Sequence, residues 1–128
     1  MPDTPAALEG HALLECGSAP GAGPWQLHHD DGGAPVTVRR PFRLVSSDTA
    51  ILLHAAGQGL GIVNVPEFSA DAAVAAGTLV PVLAGWSSRQ MLVHAVFPAH
   101  KRLSPVLRAF VDLCVEELGP RLHGPAAA

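Results

Sequence analysis

The sequence is short of positive charge, and this shortage excludes one class of protein. Only 15% of the 128 residues are charged, the formal net charge is -3, and Lys101 is the single lysine. Binding along a nucleic-acid backbone needs a wide positive surface, which Arg39, Arg40 and Arg43 alone do not supply. We therefore expect no direct nucleic-acid contact by this chain.

Long apolar runs and paired cysteines are also missing. No segment approaches the ~20 apolar residues of a transmembrane helix, and Asp3 and Glu9 stand where a signal peptide carries positive charge. Cys16 and Cys114 are far apart and lack C-x-x-C spacing, so we expect two buried thiols with neither a disulfide nor a zinc site. We expect a cytoplasmic protein with no membrane contact, metal or cofactor.

Apolar residues, glycine and proline are what the chain has in quantity. Hydrophobic residues make up 48%, enough for one core, while 13 glycines and 12 prolines favour many short elements over a helical bundle. Residues 8–16 predict a helical turn and then a short strand at 12–14. Residues 17–24 contain only Gly, Ser, Ala and Pro and predict a loop.

The next segments predict a hairpin and then an α/β unit. Residues 25–29 and 36–40 flank Asp-Asp-Gly-Gly, which is typical of two antiparallel edge strands joined by a turn. Residues 42–45 predict a strand and residues 61–65 a buried parallel strand, with a helix between them. We expect these two strands to pair through a right-handed crossover.

The helix between those strands has an N-terminal capping signal, one apolar stripe and a C-terminal glycine signal. Asp48 and its hydroxyl neighbours are N-cap residue types, and Gly57 or Gly59 supplies the stop. The apolar positions fall on one stripe: Ile51, Leu52, Ala55 and Ala56.

The second half of the chain predicts two more helices and two more strands. A helix over 68–76 ends at Gly77, and residues 79–83 and 91–97 are strand candidates. Ser104-Pro105 begins a final helix that Gly119-Pro120 ends, leaving a frayed tail at 120–128. The apolar face of that helix comprises Leu107, Phe110, Val111, Cys114 and Leu118.

Two patterns that suggest ligands have simpler explanations. The glycines in Gly-Gln-Gly-Leu-Gly (57–61) follow a helix and precede a strand, which is the reverse of a dinucleotide fingerprint, so they are structural. His28 and His29 point to opposite faces of a strand and cannot easily share a metal ion.

One polar cluster remains as a ligand-binding candidate. Ser46, Ser47 and Thr49 lie where the 42–45 strand ends, at the carboxyl edge at which α/β sheets bind ligands. Helix capping is at least as probable an explanation for any one of these hydroxyls. Asp48 satisfies the helix dipole and has a structural role.

A nucleophile motif is missing, which argues against catalysis. No serine lies in G-x-S-x-G, and Cys114 lies in the middle of a helix. The enzyme hypothesis that remains is a small hydrolase or isomerase using His54 or His94 with Asp48. We expect no catalytic residues.

Four stretches carry a family resemblance. They are LVSSDTAILLHAAGQGLGIVNVP (44–66), AGTLVPVL (76–83), AVFP (95–98) and SPVLRAFVDL (104–113). Together they resemble the effector-binding, or substrate-binding, domain of LysR-type transcriptional regulators, over residues 8–118.

The resemblance implies an α/β fold similar to the type II periplasmic binding proteins, of which this chain would hold the second half. It divides the chain into a leading segment and loop (1–24), effector-binding subdomain II with a mixed sheet and flanking helices (25–103), a helix returning to subdomain I (104–119) and a disordered tail (120–128). Ser46, Ser47 and Thr49 would face a small effector, and the Ala12 and Val93 regions would be the crossovers.

The resemblance leaves open how the chain works. The family's winged helix-turn-helix and first subdomain have no counterpart here, so we expect a truncated sensing part that needs the missing subdomain or a second copy. The alternatives are a freestanding ligand-binding or protein-interaction module, or a decayed remnant. An interaction module would use Phe110, Val111 and Leu118 of the last helix.

Overall fold

A computed structural model describes residues 1–17, 23–88, 94, 96 and 104–122. The chain divides into two compact units, Met1–Gln90 and Met91–Ala128. In chain order the described elements are a 3-10 helix (Pro5–Gly10), β1 (Leu13–Cys16), β2 (Trp25–His29), β3 (Val36–Val38), β4 (Phe42–Ser46), α1 (Thr49–Gly57), β5 (Ile62–Asn64), α2 (Glu67–Ala75), β6 (Trp86–Ser88) and α3 (Pro105–Leu122).

A three-stranded parallel sheet in the order β4-β1-β5 holds the α/β unit. The predicted strands and helix of this unit are present, but β4 and β5 do not pair with each other, because β1 lies between them. Leu13 and Leu14 of β1 are 1% and 0% exposed. A strand that buries both faces is most stable at the centre of a sheet, and each buried leucine is worth about 1.5–3 kcal/mol.

The Gly57–Gly61 turn brings β5 against β1. Gly59 has a φ of +76°, so it provides the left-handed residue that ends α1. Gly61 serves a different purpose, since a Cβ there would overlap the carbonyl group of Ala12. That carbonyl accepts a hydrogen bond of 2.8 Å from the Ile62 amide. The glycines are therefore structural, as the sequence predicts.

Helix α1 begins as predicted, with Asp48 as its N-cap. Its buried stripe is narrower than expected, because Leu52 is 0% exposed whereas Ile51 is 52% exposed. Helix α2 ends before Gly77, whose φ of +71° fits the predicted stop.

A separate antiparallel sheet has the order β3-β2-β6. The predicted hairpin is confirmed, but β2 is the inner strand and only β3 of the two is an edge. The parallel and antiparallel strands thus form two sheets. The largest cluster of buried side chains joins the 3-10 helix, both sheets and the segment before β6: Leu8, Leu13, Trp25, Leu27, Val38 and Leu83.

The prediction of a strand at residues 79–83 is wrong, and β6 was not predicted. Pro81 lacks the N–H that a ladder requires. The Leu83 amide instead donates to the carbonyl of Pro2 at 3.1 Å, and Leu83 adopts a φ of +59° while its side chain is buried. Tertiary packing of Leu83 therefore decides the path of this segment.

The second unit contributes α3, which starts at Pro105 as predicted. The Leu107 amide donates to the Ser104 hydroxyl at 3.2 Å, which caps the helix. The predicted stop at Gly119-Pro120 is wrong, because α3 continues through Pro120 to Leu122. The one hydrogen bond that proline removes falls in the last turn, where its cost is smallest.

The exposed apolar side chains of α3 include Val106, Phe110, Leu113, Val115 and Leu118. Two of them, Phe110 and Leu118, belong to the predicted apolar face. In the described ranges, no helix is both long and apolar enough to cross a bilayer.

Some sequence predictions fall outside the described residues. They concern residues 18–22, most of the 91–97 strand candidate including Val93, and the tail 123–128. The domain boundaries stay a prediction.

Gly61→Ala tests the close approach of β5 to β1. We expect it to lower the free energy of unfolding by about 1–3 kcal/mol, because the added methyl group forces the two strands apart. Gly57→Ala is the matched control: its Cβ would meet only an ordinary contact at 3.9 Å, so it should be neutral or slightly stabilising. Urea unfolding followed by circular dichroism measures both, and equal effects would contradict this account.

Candidate functional site

The three parallel strands end side by side. Their last residues are Cys16 of β1, Ser46 of β4 and Asn64 of β5. Cys16 pairs with Ser46, and Glu15 pairs with Asn64 one position earlier. The carboxyl ends of parallel strands are where open α/β sheets bind ligands, so this edge is the candidate site.

The hydroxyl groups predicted to bind ligand lie at this edge and differ in how they are engaged. The Ser46 hydroxyl accepts a 3.0 Å hydrogen bond from the Asp48 amide. The Asp48 carboxylate in turn accepts a 2.8 Å bond from the Ala50 amide. Ser46 and Asp48 thus support the helix start, which confirms the capping explanation for Ser46 and the structural role of Asp48.

Ser47 and Thr49 are less committed. Ser47 is exposed, and its hydroxyl makes no hydrogen bond within the part of the chain that the structure describes. Thr49 is half-buried, and its Oγ1 lies 3.8 Å from Sγ of Cys16. Of the three predicted contacts, Ser47 is the one that is exposed and without a local partner.

The opposite face of the same edge carries a carboxylate. Register partners in neighbouring parallel strands share a face, so Glu15 and Asn64 point away from the Cys16 and Ser46 side. Oε2 of Glu15 accepts a hydrogen bond from Nε1 of Trp25. Burial raises the pKa of Glu15 above its usual range, and the indole hydrogen bond offsets part of that rise.

Three residues of this edge were missed as site candidates from sequence: Glu15, Cys16 and Asn64. Glu15 and Asn64 each follow an apolar pair near the end of a strand, and a polar residue in that position was the available signal, whereas Cys16 follows Glu15 and had no such signal. Their convergence depends on β1 lying between β4 and β5, which local patterns do not show. Both cysteines are free and half-buried, where full burial was expected.

His54 does not pair with Asp48, the residue proposed for it, and His29 serves the hairpin turn. His54 lies about 9 Å along the helix axis from Asp48, whose carboxylate is already the N-cap. Nδ1 of His29 accepts from the Asp31 amide at 3.2 Å and lies 3.4 Å from the Asp31 carboxylate, so it closes the hairpin turn. Over the described residues, no three metal-ligand side chains come together.

A surface groove on the described residues lies elsewhere. It has a volume of about 530 Å³ and runs between the 3-10 helix and β3. Its basic side chains are Arg39 and Arg40, just before β4 begins, which is the opposite end of that strand from Ser46. It is therefore separate from the carboxyl edge.

Comparison with known proteins identifies the family and the fold. The family model described as the LysR substrate binding domain matches residues 1–119. The chain belongs to this family. The periplasmic-binding-protein-like α/β fold expected from the sequence is thereby confirmed.

Curated LysR-family relatives are longer proteins. The chain is 31% identical over 118 residues to the probable HTH-type transcriptional regulator LtrA of Klebsiella pneumoniae, covering 90% of this chain and 38% of that protein. It is 32% identical over 124 residues to the regulator CrgA of Neisseria meningitidis, covering 96% and 40%. The chain thus spans about two fifths of the length of these relatives.

Solved LysR-type structures share the architecture. The virulence activator AphB of Vibrio cholerae matches with a TM-score of 0.59 and 29% identity, over 70% of this chain and 30% of that one. The regulatory domain of AphB from Vibrio vulnificus matches with a TM-score of 0.65 over 91% of this chain and 56% of that one, at 24% identity, which supports the fold alone.

Glu15 makes the stability of this domain depend on pH. Its folded-state pKa is raised, so between the ordinary glutamate pKa of ~4.3 and the higher folded value the folded chain holds a proton that the unfolded chain has lost. Stability therefore falls as pH rises through that window. We therefore expect the free energy of unfolding of Glu15→Gln, relative to that of wild type, to increase as the pH rises from 4 to 7.

Urea unfolding at pH 4, 5.5 and 7 measures that difference. Asp71→Asn, an exposed carboxylate on α2, is the matched control and should change stability little at any of these pH values. A difference between Glu15→Gln and wild type that stays constant with pH would contradict the raised pKa.

Proposed function

We propose that this chain senses a small-molecule effector as the second half of the effector-binding region of a LysR-type transcriptional regulator. The observation that carries this proposal is the family match over residues 1–119 together with a parallel sheet whose carboxyl edge presents polar side chains. The relatives are named as transcriptional regulators, which supports a role in transcription and a cytoplasmic location for this chain.

The effector lies against the strand ends in this proposal. Ser47 offers a free hydroxyl, Thr49 a half-buried one, and Ser46 a hydroxyl proton that remains available after its oxygen accepts from Asp48. The sheet supplies one wall of the cleft. The other wall comes from a first subdomain or from a second copy of the chain, and α3 belongs to that first subdomain.

The same site argues for binding without catalysis. The Asp48 carboxylate is occupied by the Ala50 amide, and His54 is exposed at the other end of α1, so the two do not form an acid–base pair. Hydroxyl groups at a helix start recognise a ligand without needing to transfer a proton.

Ser47→Ala is the sharpest test, because Ser47 makes no hydrogen bond that the fold needs. A thermal-shift screen of small metabolites with the wild-type chain identifies ligands, since a compound at 100 times its Kd stabilises the folded state by about 2.7 kcal/mol. We expect Ser47→Ala to weaken the best ligand about fivefold by calorimetry, as one neutral hydrogen bond is lost, with an unchanged melting temperature in its absence.

Ser87→Ala on β6 is the matched control, since Ser87 is also an exposed serine but lies on the antiparallel sheet. It should leave affinity unchanged. A screen in which no compound stabilises the chain would contradict the proposed sensing function, and an unchanged affinity in Ser47→Ala would remove Ser47 from the site.

A further inference from the structure

We infer that Glu15 and Asn64 together select an effector with a hydrogen-bond-donating cationic group, such as a primary amine. This inference rests on the proposed function, because it names the chemistry of the ligand at the same edge. It concerns the face of the parallel sheet that is opposite to α1. That face carries none of the strand residues predicted from sequence to bind ligand.

The two side chains are neighbours with unused hydrogen-bonding capacity. Glu15 and Asn64 are register partners on adjacent strands, which places their backbones about 4.8 Å apart with both side chains on one face. Both residues are half-buried. Among the described residues, the Asn64 amide group has no hydrogen bond, and Glu15 uses only Oε2, toward Trp25.

Trp25 holds the carboxylate in place. Its ring is 5% exposed and packs against Phe42 with the ring centroids 6.0 Å apart, so the indole N–H that bonds to Glu15 is fixed by the core. The remaining oxygen, Oε1, has no partner within the described part of the chain. A carboxylate oriented in this way accepts from a ligand without first losing much side-chain freedom.

Charge also favours a cation. Within the described ranges no lysine or arginine forms an ion pair with Glu15, so the carboxylate has no basic partner there. Arg39 and Arg40 lie before β4 starts, at the far end of the strand from Ser46, and Arg43 of β4 is exposed and forms no ion pair with Glu15 in the described part of the chain. An ammonium group would donate to Oε1 of Glu15 and to the side-chain oxygen of Asn64, whereas a carboxylate ligand would be repelled.

The test compares ligands that differ only in the polar group. The probes are cyclohexylmethylamine, cyclohexylmethanol and cyclohexanecarboxylate, titrated into the full chain at pH 7 by calorimetry and by ligand-observed NMR. We expect the amine to bind at least tenfold more tightly than the carboxylate. Glu15→Gln should weaken the amine about tenfold, because a charge-assisted hydrogen bond becomes a neutral one, while binding of the alcohol changes little.

Two further variants separate recognition from folding. Asn64→Leu should weaken the amine several-fold, and Asp71→Asn on α2 should leave it unchanged. Circular dichroism and the combined fluorescence of Trp25 and Trp86 check that Glu15→Gln keeps its fold, which we expect because the Gln side-chain oxygen still accepts from the indole of Trp25.

The outcomes distinguish this inference from the proposed function. Preference for the carboxylate or the alcohol, or an amine affinity that Glu15→Gln does not change, overturns the inference and leaves small-molecule sensing intact. If the chain binds neutral or anionic compounds from the wider screen but no amine, the inference is likewise overturned and small-molecule sensing is left intact. Binding of no compound at all contradicts the proposed function, and the inference with it.

Discussion

The pairing of β1 along both of its edges is the constraint on which the rest of the first unit depends. Leu13 and Leu14 point to opposite faces and are both buried, so this strand contributes to the packing on each side of the sheet. Its neighbour β5 reaches pairing distance only because Gly61 has no Cβ to meet the Ala12 carbonyl. Without that approach Asn64 would not lie beside Glu15.

The same arrangement gives the carboxyl edge two chemically different faces. Toward α1 it carries hydroxyl and thiol groups, of which Ser46 already serves the helix start. On the other face Glu15 is held by Trp25, half-buried and without a basic partner among the described residues. An unpaired carboxylate costs folding free energy at neutral pH, and such costs are common where a protein keeps a group for binding.

Elements whose signals are local were predictable. The start of α1 follows from the Asp48 side chain and the backbone two residues on, and its end follows from the backbone freedom of Gly59. The hairpin follows from its turn residues. Each of these depends on neighbours a few residues apart, so the chemistry is visible in the sequence. The family resemblance extended this reading to the fold class, and the family match confirmed the family and that class.

The sequence by itself thus determined the α/β class, the family, the approximate bounds of several elements and the position of the Ser46, Ser47 and Thr49 hydroxyls around the end of β4 and the start of α1. Only the tertiary structure decided that β1 lies between β4 and β5, that residues 79–83 form no strand whereas residues 86–88 form β6, and that Glu15 and Asn64 lie in register on adjacent strands. Strand order and side-chain convergence depend on contacts between residues 29 to 49 positions apart in the chain. Those contacts are selected by total burial and close packing of the folded core, which no short stretch of sequence encodes.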